Sequence, residues 1–310
     1  MVSRYSLSLF VLMLLIGCRP ATQPPTDAGQ TQPAPDPVIE STSNPVATIP
    51  SEALEIRNAQ YQLGATDALQ IVQLTDGSFE QGTSGSDDFI SISVTDFAAV
   101  GDLNADGTDE LAALISENYG GTGVFVFLAV YSNMDGTLTF QTSTMADDRP
   151  QLNALSIENN EIFVDAVIHG FEDPMCCPTL KTTRHYRWVD NQLDMTDYTT
   201  FTPDGRPRTI MIESPTNGME VFTSVPIAGN VAIAPFENNL AYRIFDISGI
   251  ELAAGPIAVS APDLGAPGTF DAIIPLGNIL SGAIIRIEVQ DLSAADGSLL
   301  AMDSVELVVK

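Results

Sequence analysis

Along most of this chain apolar and polar residues alternate with the period of a strand rather than a helix. Ile90-Ser-Ile-Ser-Val-Thr95 places every second side chain on one face, as a half-buried strand requires. Ile162, Val164, Ala166 and Ile168 mark a second such face. Val124-Phe-Val-Phe-Leu-Ala-Val-Tyr131 is apolar throughout, which predicts a central strand covered on both sides. Asp76-Gly77, Asp135-Gly136 and Asn159-Asn160 fall between runs of this kind and read as hairpin turns. A short helix is expected only near Ser51 to Asn58, where Glu52, Ala53, Leu54 and Glu55 favour one.

From Arg208 onward the strands shorten and turn residues recur. Candidate strands run over Ile210–Ile212, Val225–Ala232, Leu240–Asp246, Ile257–Ser260, Thr269–Ile274, Ala283–Gln290 and Ser304–Val309. That many short strands within about 100 residues suggest a β-sandwich. Within the sixth, Ile285, Ile287 and Val289 form an apolar face, opposite Arg286, Glu288 and Gln290. The fold class expected is mainly β: an antiparallel β domain over 51–202, then an immunoglobulin-like sandwich over 207–310.

The first fifty residues follow a different pattern. Leu7 to Ile16 is almost wholly apolar, with Arg4 ahead of it and Cys18 behind. This is the layout of a signal peptide over 1–17, too short for a permanent bilayer span. Leu15-Ile-Gly-Cys18 resembles the lipobox of bacterial lipoproteins, which implies cleavage before Cys18 and a covalent lipid on that cysteine. Residues 18–50 have no hydrophobic period and are rich in Pro, Thr, Gln and Ser, so they cannot bury enough apolar surface to order themselves. They read as a disordered, extended stalk. The expected location is outside the cytoplasm, lipid-anchored to the cell membrane and facing the extracellular or periplasmic side.

Charge narrows the partners. Twelve Lys and Arg stand against 40 Asp and Glu, a formal net charge of -28. Such a chain repels nucleic acid, and no basic patch interleaved with aromatics offsets this. Its contact with the membrane is expected through the lipid anchor.

Asp102-Leu-Asn-Ala-Asp-Gly-Thr-Asp-Glu110 carries the sharpest chemistry. Oxygen-bearing side chains at alternate positions with a glycine at the sixth suit one hard cation. An EF-hand needs a bidentate Glu at the twelfth position, where this chain has Ala113, and strand-like flanks rather than helices surround the loop. The loop instead resembles the calcium loop of integrin-type FG-GAP repeats. That resemblance implies Ca²⁺ held by Asp102, Asn104, Asp106, the Thr108 carbonyl and Glu110, as a structural clamp on a hairpin. An Asp- and Asn-rich turn without metal uses the same residues.

Cys176 and Cys177 are the only cysteines besides Cys18. Export permits a disulfide between them. Neighbouring Cα atoms lie ~3.8 Å apart, below the usual range of roughly 4.4–6.8 Å. The alternatives are a vicinal disulfide within a turn bracketed by Pro174 and Pro178, or two free thiols. A zinc site using His169 and His185 with these cysteines is disfavoured, because adjacent residues of an extended segment point apart.

Three segments, Gly101 to Gly107, Glu117-Asn-Tyr-Gly-Gly-Thr-Gly123 and His169 to Pro178, together resemble a module of uncharacterised bacterial lipoproteins. Ile212-Glu-Ser-Pro215, Pro226-Ile-Ala-Gly229, Phe236-Glu237, Tyr242 to Gly249 and Ala294 to Ser298 resemble the Gmad2 family, an immunoglobulin-like domain named from bacterial spore-germination proteins. The resemblance implies an accessory envelope module without enzymatic activity. Glu237 is either a buried acid or a solvated turn carboxylate. No G-x-S-x-G, H-E-x-x-H or P-loop motif is present. The expected function is therefore a non-enzymatic surface lipoprotein that binds or scaffolds an envelope protein or polysaccharide. The alternatives are a glycan-acting enzyme with a carboxylate pair and a thiol redox sensor at Cys176-Cys177.

Overall fold

The structure is a computed structural model that describes residues 51–65, 69–134 and 137–310. The signal segment, Cys18, the stalk and the Asp135-Gly136 turn lie outside the described residues. Among the described residues no helix is long and apolar enough to cross a membrane.

Glu52–Asn58 forms a helix of the tighter 3-10 kind. Ala53 and Ile56, three apart, are the residues it buries, which suits a three-residue turn. β1 (Gln60–Gln62) and β2 (Ile71–Gln73) then pair antiparallel. β3 (Ser78–Gln81), β4 (Ile90–Gly101), β5 (Glu110–Asn118), β6 (Phe125–Met134) and β7 (Thr137–Asp148) make a five-stranded antiparallel meander. β8 (Gln151–Glu158), β9 (Glu161–Ile168), β10 (Leu180–Val189) and β11 (Gln192–Phe201) form the next antiparallel run. The turns arise where expected: Asp76-Gly77 and Asn159-Asn160 all have positive φ, the geometry that a two-residue hairpin turn demands.

The meander is covered on both faces, which explains the unbroken apolar run in β6. Ala113, Ile115, Ala129 and Tyr131 face a core shared with Ile56, Tyr61 and Leu74. Ala112, Leu114, Leu128 and Val130 face the opposite way, onto Ile162, Val164 and Tyr186 of β9 and β10.

After β12 (Pro207–Arg208) come β13 (Ile210–Ser214), β14 (Glu220–Val221), β15 (Ser224–Val231), β16 (Asn239–Asp246), β17 (Glu251–Ser260), β18 (Gly268–Pro275), β19 (Ile284–Leu292) and β20 (Leu299–Val309). β13, β15 and β18 form one layer, and β16, β19 and β20 the other. β17 passes between them, pairing first with β16 and then with β18. β14 lies parallel to β20 and ties the start of the segment to its end. This is an immunoglobulin-like sandwich around a core of its own, with Ile227, Leu240, Ile285, Ile287 and Leu307 at its centre.

The cores are separate, but one sheet runs through both parts of the chain. Its order is β13-β15-β18-β17-β16-β19-β20-β11-β10-β9-β8, so the β11–β20 ladder joins the first part to the sandwich. That junction alters the reading of β19. Glu288 and Gln290, expected on a polar face, are buried. Arg286 beside them donates to the Met195 carbonyl of β11 at 3.0 Å.

Candidate functional site

Asp102 to Asp109 make the turn between β4 and β5, and Glu110 opens β5, so strands flank the loop as expected. Leu103 points inward and is 2% exposed, which leaves Asp102 and Asn104 on the other side of the backbone. The loop then folds on its own oxygens. Asp102 Oδ2 accepts from Gly107 N at 3.0 Å, Asn104 Oδ1 from Asp106 N at 2.9 Å and Asp106 Oδ1 from Thr108 N at 2.7 Å. Ala105 and Gly107 take positive φ to permit the curl. Outside the loop, Asn160 in the β8–β9 turn donates to the Asp102 carbonyl at 2.7 Å.

Glu110 sits differently from the other four. It is buried, and its carboxylate turns back to accept from Leu103 N at 2.9 Å and Asn104 Nδ2 at 3.3 Å. Burial lifts its pKa above the ordinary value, the Leu103 N–H opposes this, and the charges of Asp106, Asp102 and Asp109 lift it further. Asp106 is held below its ordinary value, chiefly by the Thr108 N–H. Asp102 Oδ1 is buried without a hydrogen-bond partner. An orphaned carboxylate oxygen among hard oxygen donors fits a hard cation. Among the described residues, however, no three His, Cys, Asp or Glu side chains are gathered as a metal-holding group.

The loop His169 to Pro178 is organised by Asp173. Its carboxylate accepts from Gly170 N at 2.8 Å and from Thr179 N at 2.7 Å, and these bonds hold its pKa down. Cys176 and Cys177 are joined as a disulfide at the exposed tip, with Cα atoms 3.8 Å apart. Phe171 and Met175 beside them are also exposed. His169 contacts the Met175 carbonyl at 3.2 Å, whereas His185 lies along β10.

Glu117 opens the remaining motif and is fully buried. It accepts from the Tyr61 and Tyr119 hydroxyls and from the Gly64 and Ala65 amides, which fastens the β1 region onto β5. Asn118 orders the turn that follows, donating to the Gly121 and Gly123 carbonyls. Thus each of the three motifs is a loop or strand end organised by an acid or amide.

The chain matches no family model and no curated protein. Its chemistry must be read from its own residues.

One cluster escaped the sequence reading. Register aligns His185 of β10 with Asp197 of β11, and Asp197 with Asp303 of β20. Glu161 of β9 joins them, 3.5 Å from His185 Nδ1. A bulge in the β10–β11 pairing leaves Thr196 without a cross-strand partner, and its hydroxyl donates to Glu161 at 3.0 Å. These groups line a cleft of about 490 Å³ whose walls come from both parts of the chain. No local spacing could reveal this cluster, because Glu161 and Asp303 meet only through the through-going sheet. Glu237 is the solvated alternative, exposed in the single 3-10 turn Phe236–Asn238 at φ 55°.

Proposed function

We propose that this chain is a non-enzymatic lipoprotein of the bacterial cell envelope, held to the membrane by lipid on Cys18, and that its β domains bind or scaffold an envelope protein or polysaccharide. The observation that carries the reading is Leu15-Ile-Gly-Cys18, closing a short apolar segment and followed by a Pro-rich stretch before the folded part begins. In this reading the sandwich over 207–310 is a Gmad2-like accessory module.

The Asp102–Glu110 loop serves as a structural Ca²⁺ clamp in this reading. Asp102, Asn104, Asp106, Thr108 and Glu110 would supply oxygen ligands, and the cation would neutralise the carboxylates that repel one another there. Support comes from the orphaned Asp102 oxygen and from the acidic charges around Glu110.

Two measurements test these statements. Cys18→Ala should move the chain from the membrane fraction to the soluble exported fraction. Unchanged fractionation would remove the anchor from the proposal. Melting a fragment from Ser51 with calcium, and again with chelator, should show a rise in Tm with calcium. An Asp102→Ala/Asp106→Ala variant should lose that rise. A calcium-independent Tm would reduce the loop to an Asx-rich turn.

Thiol chemistry at Cys176-Cys177 is the second reading, favoured by the exposure of both residues at a loop tip. A dithiol reductant at mild potential should release two thiols reversibly. A pair inert to it would end that reading.

A further inference from the structure

The two parts of the chain have separate apolar cores, so the joint between them depends on what crosses the β11–β20 ladder. The register pairs Asp197 with Asp303, Tyr198 with Met302 and Thr199 with Ala301. One face of the ladder packs Tyr198 against Met302. On the other face two carboxylates stand directly opposite one another. Side chains in such a position have Cβ atoms roughly 5 Å apart, close enough that two negative charges oppose the pairing. Polar bridges also cross the joint: Thr200 Oγ1 to the Leu300 carbonyl, Ser304 Oγ to the Thr196 carbonyl, Arg187 to Glu306, and Arg286 to the Met195 carbonyl and Asp194.

We propose that this joint is a proton-dependent latch: a proton on Asp197, which removes one of the two charges facing each other across the ladder, keeps it closed in mildly acidic surroundings, and its loss near neutrality frees the two parts to move against each other.

The surroundings assign the proton to Asp197. Asp303 accepts from Ile212 N at 2.6 Å and Ser304 N at 2.8 Å, bonds that favour its ionised form against the burial that raises its pKa. Burial first, and the charge of Asp303 second, push Asp197 up to about 6, with His185 opposing and Glu161 assisting. The other charged groups facing the pair are already engaged. Arg187 of β10 pairs with Glu306 of β20, and Arg286 of β19 with Asp194 and Glu288.

The direction in pH follows. Asp197 is raised in the folded state, so its contribution is complete below the ordinary carboxylate range and is lost as pH rises through about 6. His185 is raised by its bond to Glu161, so its contribution is likewise lost as pH rises through the lifted value. Glu161 is lowered by the same bond and acts oppositely, losing its contribution as pH falls through its depressed value. The latch is therefore tightest near the ordinary carboxylate range, above the depressed value of Glu161, and loosens as pH rises towards about 6. An exported protein meets pH changes that a cytoplasmic one does not, but the inference does not depend on the anchor.

Hydrogen exchange on the full chain tests it, with rates normalised to intrinsic exchange at each pH. Between pH 5 and 7.5, protection at amides of 197–199 and 301–303 should fall by about tenfold or more, while amides of Leu114 and Leu128 stay unchanged. Asp197→Asn keeps the shape of the side chain without the titration and should remove most of the fall in joint protection, leaving only the smaller part that His185 carries. His185→Gln should leave most of the fall in place. Equal protection at both pH values would overturn the latch. So would a fall that persists undiminished in Asp197→Asn, or one that vanishes only in His185→Gln.

Discussion

The Tyr61 hydroxyl donates to the Glu117 carboxylate at 2.5 Å across 56 residues of sequence, and neither residue has any exposed surface. Burial, reinforced by the Glu117 charge, holds the Tyr61 hydroxyl far above its ordinary pKa, so it remains a donor. Glu117→Ala would strip the acceptor from two hydroxyls and two amides at once. A buried donor left unpaired costs about 1–3 kcal/mol. We expect Glu117→Ala to lose about 3 kcal/mol or more in urea denaturation, and Tyr61→Phe about 1–2 kcal/mol. Losses within about 0.5 kcal/mol for both would mean that the network does not fasten the β1 region.

Gly229 crosses closely over β13. A methyl group there would stand 2.0 Å from the Met211 carbonyl oxygen and 2.6 Å from the Phe270 ring. The carbonyl is backbone and can move only by opening the β13–β15 ladder, where Gly229 pairs with Ile212. Gly229→Ala should therefore destabilise the sandwich by about 2 kcal/mol or more, near the upper part of the overpacking range. Gly107→Ala meets open space and carries only the cost of positive φ, about 1 kcal/mol. Equal losses in the two variants would show that the close approach at Gly229 relaxes freely.

Separate cores predict separable damage. Leu114 is fully buried in the first part and Ile287 is fully buried in the sandwich. Replacing either by Ala should cost about 2–5 kcal/mol. Followed by hydrogen exchange, Leu114→Ala should weaken protection in β5 and β6 more than in β16 and β19, and Ile287→Ala the reverse. Uniform loss throughout the chain in both variants would show that the through-going sheet makes the parts one cooperative unit.

Local chemistry in the sequence accounts for what it revealed. All seven strands expected after Arg208 form, because period-two alternation and turn residues act within a few positions. The doubly covered β6 follows from its unbroken apolar run for the same reason. The 3-10 form of Glu52–Asn58 was not legible, since the i, i+3 burial of Ala53 and Ile56 depends on the sheet beneath. Nor was the β11–β20 ladder, whose partners lie about 100 residues apart. That distance also hid the Glu161, His185, Asp197 and Asp303 cluster. The Asp102–Glu110 loop was visible as a pattern of oxygens, but the inward turn of Glu110 depends on Leu103 filling the core.

Asp291 gives the last prediction, on stability against pH. It lies on β19, buried, with Arg208 of β12 at 3.8 Å as its nearest cation. Burial pushes its pKa up to about 6, and Arg208 offsets only part of this. The unfolded chain holds the same carboxyl near its ordinary value of about 3.9. Between those values the folded state binds more protons than the unfolded one, so stability falls as pH rises, and the loss is complete above about 6. Asp291→Asn removes the titration while retaining the shape of the side chain. The variant should therefore gain stability relative to the parent at pH 7.5, and show a shallower decline between pH 4 and 6. Urea midpoints at pH 4.5, 5.5 and 7.5 give the comparison, with a pH-independent slope confirming that the same surface unfolds. A variant that loses stability at pH 7.5 would show that the Arg208 pairing outweighs the desolvation of Asp291.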